Sequence, residues 1–343
     1  MEFAANRYFV WVLALLLVSN SANLRAAPLF EDDSVIDVTL AGPIGSLVSN
    51  VDDREELPFV LQAQGLRHEI KVRVRGNSRL RVCQFPPLRL NFRQQHPTQS
   101  VFAGQDKLKL VTHCRNNDRG EQDMLQEFAA YRILNVLTDA SYRVRLLRIR
   151  YEDADGKLSP KASPRYGFVL ENSAQLAARI GARPASLRGV PKKRHHLEHA
   201  ALVYVYQYLI ANTDWGLVKA DYDDSCCHNI DLFELDSKVL VVPYDFDVSG
   251  LVNARYAFPD RRLRIKKVTQ RVYRGLCTDR DVLRAAIEKV TAHKAGILRT
   301  VQEIPGLSEE NADVSTRFLN AFFEKADDTE ELIENFEKRC IGD

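Results

Sequence analysis

The chain has 343 residues, of which 45% are hydrophobic, and 48 Lys and Arg against 46 Asp and Glu give a formal net charge of +2. This length suffices for one large domain or for two lobes that share a cleft. The balanced charge excludes a global electrostatic attraction to nucleic acid, so any charged partner must be recognised by a local patch. The sequence has no low-complexity tract and no repeat of solenoid length, which excludes fibrous and repeat architectures.

An apolar run near the N-terminus predicts a secretory signal peptide. Arg7 precedes the run from Tyr8 to Val18, which is too short to span a bilayer but matches the core of a signal peptide. Small and polar residues follow, so we expect residues 1–22 to form the signal and the mature chain to start within Ser21 to Pro28. The prediction is a secreted or periplasmic protein without a stable membrane span.

Strand patterns fill most of the first half of the chain. Alternating apolar residues predict strands over 36–40, 69–75, 88–92, 107–111, 143–151 and 166–171, and an amphipathic helix over 121–137. Helical patterns dominate the second half, over 174–180, 197–210, 282–304 and 315–339. Strands followed by helices predict an α+β protein.

Two apolar runs in the second half predict a β-hairpin. The runs 230–233 and 239–242 flank the turn residues Asp236-Ser237. Counting outward from this turn brings Asn229 and Asp245 together at the open end of the hairpin, although they are distant in sequence.

Polar residues converge around that open end. Asp214 follows the helix predicted over 197–210, and Asp245 and Asp247 are two positions apart, so an extended backbone points both carboxylates to one side. Carboxylates held together repel one another, and a hard cation such as Mg²⁺ relieves the repulsion while leaving room for phosphates. The order Asp, Asn, strand pair, Asp is that of protein kinases. We therefore expect Asp214 to be catalytic and Asn229, Asp245 and Asp247 to hold Mg²⁺ or Mn²⁺ with ATP. Ordinary polar residues at helix and strand ends are the competing interpretation.

Four short elements in this order resemble the spore-coat protein H (CotH) family of atypical protein kinases. They are Arg75-Gly76-Asn77-Ser78, Asn212-Thr213-Asp214, His228-Asn229 and Tyr244-Asp245-Phe246-Asp247, and the resemblance covers roughly Val35 to Val252. It implies a two-lobed, atypical protein-kinase-like fold in a domain over 28–343, with a β-rich N-terminal lobe over about 30–171 and a helical C-terminal lobe over 172–343. It also implies transfer of the ATP γ-phosphate to a Ser or Thr hydroxyl of a protein.

The resemblance predicts the residues that contact the nucleotide as well. They are Arg75, Gly76, Asn77, Lys107, Lys109 and Glu127. The backbone can approach phosphate at Gly76, and Arg75 supplies a fork of donors. The family follows its R-G-N-S element with Pro-Lys, whereas this chain has Pro86-Pro87-Leu88-Arg89, so Lys107 or Lys109 would serve in its place. Glu127 could then pair with that lysine, and a solvated surface glutamate is the competing interpretation.

Two other functions remain open. The missing Pro-Lys and the scarcity of ATP in exported compartments favour a related binding or scaffold protein that transfers no phosphate. The stretch His195-His196-Leu197-Glu198-His199 matches the inverted zinc-protease pattern H-x-x-E-H, with Glu234 or Glu288 as a third ligand, and predicts a zinc-dependent hydrolase.

A basic segment, Arg261 to Lys267, follows the acidic cluster. In a kinase this position belongs to the activation or substrate segment, so we expect it to bind an acidic protein substrate. A solvated loop is the alternative interpretation.

The cysteines agree with export. There are six, Cys83, Cys114, Cys226, Cys227, Cys277 and Cys340. An even number in an oxidising compartment predicts up to three disulfides, although six cysteines allow fifteen pairings. Cys83 and Cys114 lie at the edges of strand-like runs in the same half of the chain, so we expect them to be bridged. No pair has C-x-x-C spacing, which disfavours a structural zinc site.

Overall fold

The computed structural model describes residues 28–93, 99–159, 162–217 and 226–342, so the predicted signal peptide lies outside the described residues. The strands in these ranges are β1 Ile36–Gly42, β2 Leu57–Ala63, β3 Leu66–Val74, β4 Leu88–Asn91, β5 Lys107–Val111, β6 Val144–Asp153, β7 Arg165–Leu170, β8 Arg183–Ala185, β9 Ile230–Leu235 and β10 Lys238–Pro243. The α-helices are α1 Ile44–Ser49, α2 Ser78–Val82, α3 Asp118–Leu137, α4 Ser173–Arg179, α5 Leu197–Leu209, α6 Arg280–Ala292, α7 Lys294–Gln302, α8 Glu309–Ala326 and α9 Thr329–Glu337.

Strands β1 to β7 close into a barrel in the order β1-β2-β3-β4-β5-β7-β6. The closing contact is parallel and runs from Ile36 opposite Leu147 to Gly42 opposite Asp153, whereas the other neighbours are antiparallel. Alternate residues point inward and fill the barrel with one apolar core, which includes Val38, Leu40, Leu61, Ile70, Val72, Leu90, Leu108, Leu110, Leu147, Ile149 and Val169. Closure leaves these strands without a free sheet edge.

The barrel shows that the predicted two-lobed, atypical protein-kinase-like fold is wrong, although the chain does belong to the α+β class. Two features of the barrel were not predicted from the sequence. The pattern did not predict β2, Leu57–Ala63, and no periodicity could show that β1 returns to pair with β6. Alternation predicts which residues are buried in a strand but not which strand is its neighbour.

A second apolar core lies between the barrel and the helices. Phe168 of β7 faces α3, where its ring contacts Tyr131, and Tyr131 in turn contacts Phe246 just beyond β10. Tyr206 of α5 donates a hydrogen bond to the Ala130 carbonyl (2.7 Å). Helix α3 therefore packs against β6 and β7 of the barrel and against α7, and its Tyr131 side chain reaches the acidic residues that follow β10.

Three cysteine pairs lie at disulfide distance among the described residues, and they are Cys83–Cys114, Cys226–Cys227 and Cys277–Cys340. The predicted Cys83–Cys114 pair is confirmed. These disulfides are compatible with a secreted or periplasmic protein. In the described ranges no helix combines the length and the apolar character needed to cross a membrane.

Candidate functional site

The β9–β10 hairpin has the predicted register. Leu235 lies opposite Lys238 and Ile230 opposite Pro243, and the next pair is joined because the Tyr244 amide donates to the Asn229 carbonyl (3.1 Å). The hairpin therefore delivers Asn229 and the residues after Tyr244 to the same end, as expected from the sequence.

Asp214 and Asn229 are in direct contact. The Asn229 side-chain amide donates to the Asp214 carbonyl (2.8 Å) and to Asp214 Oδ2 (3.1 Å). His228 Nε2 donates to Asp214 Oδ1 (3.0 Å), and Asn212 Oδ1 accepts a hydrogen bond from the Asp214 amide (2.9 Å). Both carboxylate oxygens of Asp214 are thus oriented by donors, and its side chain is still 39% exposed. The group is fixed in place and open to solvent.

Asp245 and Asp247 meet at a buried arginine that the sequence did not single out. Arg79 Nη2 lies 2.7 Å from Asp245 Oδ1 and 2.8 Å from Glu127 Oε1, and Arg79 Nε lies 2.9 Å from Asp247 Oδ2. Burial opposes the charge of Arg79, but the three carboxylates outweigh it and raise the Arg79 pKa well above its ordinary value. One guanidinium therefore neutralises part of the acidic cluster permanently.

The three carboxylates around Arg79 carry more negative charge than one guanidinium can balance. Burial raises the pKa of Glu127 to about 8 and also raises the pKa of Asp247; the charge of Asp247 adds to the shift of Glu127, and the charge of Asp245 adds to both shifts. Tyr256 donates to Asp247 Oδ2 (2.9 Å), so Asp247 is held from two sides. The cluster favours retaining a proton near neutral pH, and Glu127, whose pKa burial raises to about 8, is a residue that can hold it.

Asp245 differs from its neighbours because its side chain is 41% exposed. Its backbone has a φ of 62°, in the left-handed region, and Asn229 has a φ of 52°. The extended backbone expected over 245–247 is therefore absent, and both carboxylates still reach Arg79. Non-glycine residues in the left-handed region are uncommon and concentrate at functional sites.

Two basic side chains flank Asp245. Burial lowers the pKa of Arg75 and of Lys109, the two cations repel one another, and the charge of Asp245 partly offsets both shifts. Lys109 Nζ lies 5.1 Å from the centre of the Tyr244 ring. Within the described ranges the Arg75 side chain has no hydrogen-bond acceptor, so its guanidinium is available to an anion.

The other residues that were predicted to contact the nucleotide have different surroundings. Arg54 Nη2 donates to the Gly76 carbonyl (3.1 Å) and to Asn77 Oδ1 (3.1 Å), and both Asn77 and Lys107 are exposed. Glu127 pairs with Arg79 and not with Lys107 or Lys109. The structure thus gathers Arg75, Lys109 and Glu127 around Asp245 and leaves Gly76, Asn77 and Lys107 outside that cluster.

The sequence patterns predicted no role for three residues of the candidate site: Arg79, Tyr256 and Arg274. Arg79 directly follows the R-G-N-S element as the second residue of α2, and this adjacency to the motif was the available signal. Arg274 donates to the Thr213 carbonyl, next to Asp214, but it lies far along the chain in a stretch without a motif. No sequence pattern predicts such a contact.

The residues of the H-x-x-E-H stretch have separate partners. His195 Nε2 donates to the Val190 carbonyl (3.1 Å), and the buried His199 Nε2 donates to the Val241 carbonyl (3.0 Å). Glu198 is 75% exposed and lies 3.3 Å from His196 Nδ1. In each of the His195 and His199 rings Nε2 is bound to a backbone carbonyl, and the two carbonyls belong to different parts of the chain.

The oxygen ligands around Asp214 and Asp245 suit a metal ion that the protein and a phosphate-bearing substrate hold together. In the part of the chain that the structure describes, no group of three or more His, Cys, Asp or Glu could hold a metal ion alone. Asn229 turns its nitrogen to Asp214, which leaves Oδ1 for a cation, and Asp245 offers an exposed carboxylate. Two oxygen ligands completed by phosphates and water are typical of Mg²⁺.

No protein-family model matches the chain and no curated protein matches it, so these comparisons assign it to no family.

Proposed function

We propose that this chain transfers a phosphoryl group from ATP, with Mg²⁺ or Mn²⁺, to a protein hydroxyl. The observation that carries the proposal is the position of Asn229 and Asp245 at the open end of the β9–β10 hairpin, where the Asn229 side chain also holds Asp214. Two of these residues have left-handed backbones, and the two carboxylates are each about two-fifths exposed, with 39% for Asp214 and 41% for Asp245. The proposal concerns the site and not a kinase fold.

The residues have distinct roles in this proposal. Asn229 and Asp245 hold the metal, which neutralises charge on the phosphates and orients them. Asp214 accepts the proton of the attacking hydroxyl, and His228 and Asn229 keep its carboxylate oriented. Asp247 as a second metal ligand stays a prediction, because its Oδ2 already accepts from Arg79 and Tyr256 and ligation would use its other oxygen.

Arg75 and Lys109 bind the phosphate oxygens in this proposal. Both lie beside Asp245, and burial strengthens their interaction with an anion because water competes less. The basic side chains Arg75 and Lys109 thus lie beside the acidic side chain Asp245. The basic groups can bind the phosphate while the carboxylate binds the metal ion.

The basic segment Arg261 to Lys267 is the proposed contact for an acidic protein substrate. Arg261, Arg264, Lys266 and Lys267 are exposed, whereas Arg262 pairs with Asp260 (2.6 Å). The segment lies between Tyr256, which binds Asp247, and Arg274, which binds the Thr213 carbonyl. Both of its flanks are therefore anchored in the acidic site.

A binding protein without transferase activity is the second candidate, and Arg79 is the observation that favours it. Because Arg79 contacts both Asp245 and Asp247, the acidic cluster has a counter-ion within the chain. A metal is then less necessary to relieve the repulsion between the two carboxylates.

The test uses two isosteric variants of the purified chain. Asp245→Asn should abolish the rise in melting temperature that ATP with Mn²⁺ produces, together with phosphate transfer from radiolabelled ATP to an acidic Ser/Thr peptide. Asp214→Asn should keep the nucleotide-induced rise but lose transfer, since its role belongs to the transition state. Asp313→Asn, an exposed position on α8, is the matched control.

The same measurements decide between the two candidates. Neither variant should unfold, because Arg79 keeps Glu127 and Asp247 as partners when Asp245 is neutralised. A wild-type chain that shows neither a nucleotide-induced shift nor transfer would refute the transferase proposal and favour the binding protein.

A further inference from the structure

A groove of about 580 Å³ lies on the outer face of the barrel, across strands β6, β1, β2 and β3. One row of paired residues crosses its floor. Thr39 of β1 lies opposite Arg150 of β6 on one side and opposite Gln62 of β2 on the other, and Gln62 lies opposite Arg67 of β3. Paired residues on neighbouring strands share a face of the sheet. Two arginines therefore flank two neutral hydrogen-bonding side chains.

A third arginine extends this row along β6. Arg148 precedes Arg150 by two positions, so it points to the same face, and its register partner on β1 is Asp37. Arg67, Arg148 and Arg150 are all exposed, and in the described chain none of them has a carboxylate partner. With Asp37 as the acidic residue in the lining, the groove retains a net positive charge.

We propose that this groove binds a small molecule that carries at least two oxyanion groups, carboxylate or phosphate. A guanidinium binds either group through two parallel hydrogen bonds. The backbones of Arg150 and Arg67 are separated by three strand spacings, about 14 Å, so each end of the row can hold one anionic group. Thr39 and Gln62 lie between them and can bind hydroxyl or carbonyl groups of the same ligand.

The shape of the groove favours a small ligand over a macromolecule. Its volume of about 580 Å³ falls within the usual range for small-molecule sites, roughly 300–1,000 Å³. None of the described residues that line it is aromatic, so it offers no stacking surface for a sugar or a base. The barrel is closed, so no free strand edge is present here to pair with an extended peptide.

The groove is separate from the proposed transferase site, because none of its lining residues belongs to the acidic cluster or flanks Asp245. The two proposals can therefore fail independently.

Calorimetric titration with citrate and with tripolyphosphate tests the inference. The wild-type chain should bind at least one of them, and the tighter of the two shows whether carboxylate or phosphate chemistry is preferred. Arg67→Gln with Arg150→Gln should weaken binding by about a hundredfold, about tenfold for each lost charged hydrogen-bonding partner. Arg317→Gln, an exposed arginine on α8, is the matched control and should bind as the wild type does.

All of the altered residues are exposed, so the variants should melt at the wild-type temperature. The inference is overturned if neither anion binds the wild-type chain at about 1 mM, a very weak affinity. It is equally overturned if the double variant binds as tightly as the wild type, since the anion would then occupy another basic site such as the one around Arg75 and Lys109.

Discussion

At the scale of single residues, Arg79 connects parts of the chain that are far apart in sequence. It belongs to the short helix α2, yet its guanidinium contacts Glu127 on α3 and the two aspartates that follow β10. A fully buried cation among three carboxylates is held by its partners, and each partner in turn depends on it. The acidic site therefore rests on a residue that would not itself touch a substrate.

Replacing Arg79 should destabilise the fold severely. Arg79→Met leaves Glu127 and Asp247 buried without a counter-ion, and breaking a buried ion pair in this way costs about 3–5 kcal/mol. Urea unfolding at pH 7 measures the loss. Arg81→Met, two positions along the same helix but exposed, should unfold like the wild type. Equal stability of the two variants would show that the guanidinium is not holding the cluster.

His199 should make the fold sensitive to mild acid. Burial lowers its pKa to about 4, whereas in the unfolded chain it titrates near its ordinary value of about 6.5. The stability that the neutral ring contributes is thus fully present above about pH 6.5 and is lost as the pH falls towards 4. At pH 5 the loss amounts to about 2 kcal/mol.

Urea unfolding at pH 7 and pH 5 checks this expectation. His199→Gln, which can still donate a hydrogen bond to the Val241 carbonyl, should show a smaller fall between the two pH values than the wild type. His113, whose pKa burial also lowers to about 4, should contribute a similar share, so part of the fall remains in that variant. His293→Gln, at a ring that is only partly buried, should keep the full wild-type fall. A fall of wild-type size in His199→Gln would contradict the assignment.

At the scale of elements, the β9–β10 hairpin determines the candidate site. Its two turn residues, Asp236 and Ser237, have φ values of 48° and 64°. A two-residue turn with both φ values positive is the type I′ turn, whose twist matches that of the strands and which favours Asn-Gly. The native sequence thus holds a serine where glycine fits best.

Ser237→Gly should stabilise the hairpin. Relief of the left-handed serine backbone exceeds the entropy that glycine adds to the unfolded chain, and we expect a net gain of about 0.5–1 kcal/mol. Ser237→Ala keeps the steric problem and should give no gain. Thermal melting of the three chains decides the matter. Because the turn lies at the end of the hairpin away from Asn229, the nucleotide binding that we propose should not change.

The hairpin also shows how far the sequence could predict the site. Its register follows from the turn and from two apolar runs, all within one short stretch, so the approach of Asn229 to the residues after Tyr244 was predictable. The partner of Glu127 was not, because Arg79 lies in another element and only the closed barrel brings it there. The long helix expected over 282–304 is likewise two helices, which meet at His293. Local patterns predict elements, whereas long-range pairing decides their neighbours.

At the scale of the whole molecule, the chain consists of a closed barrel over residues 36–170 followed mainly by helices. One disulfide lies in the barrel part of the chain and another lies in the helical part. Cys83–Cys114 joins the end of α2 to the loop after β5, whereas Cys277–Cys340 encloses helices α6 to α9. The C-terminal end is also held by backbone hydrogen bonds, since the Cys277 amide donates to Ile341 (2.9 Å) and the Ile341 amide donates to Gly275 (3.0 Å).

Removal of the Cys277–Cys340 bridge should therefore loosen the helical part and leave the barrel intact. The bridge spans 63 positions, and the chain-entropy relation gives a loss of about 4 kcal/mol for the Cys277→Ala, Cys340→Ala chain. Amide hydrogen exchange followed by mass spectrometry should show faster exchange in α6 to α9 and unchanged protection in β1 to β7. The matched chain with Cys83→Ala and Cys114→Ala should show faster exchange around α2, β4 and β5. If both chains exchanged faster over the same segments, the barrel and the helices would unfold as one cooperative unit, and the bridge would stabilise the whole molecule and not its helical part alone.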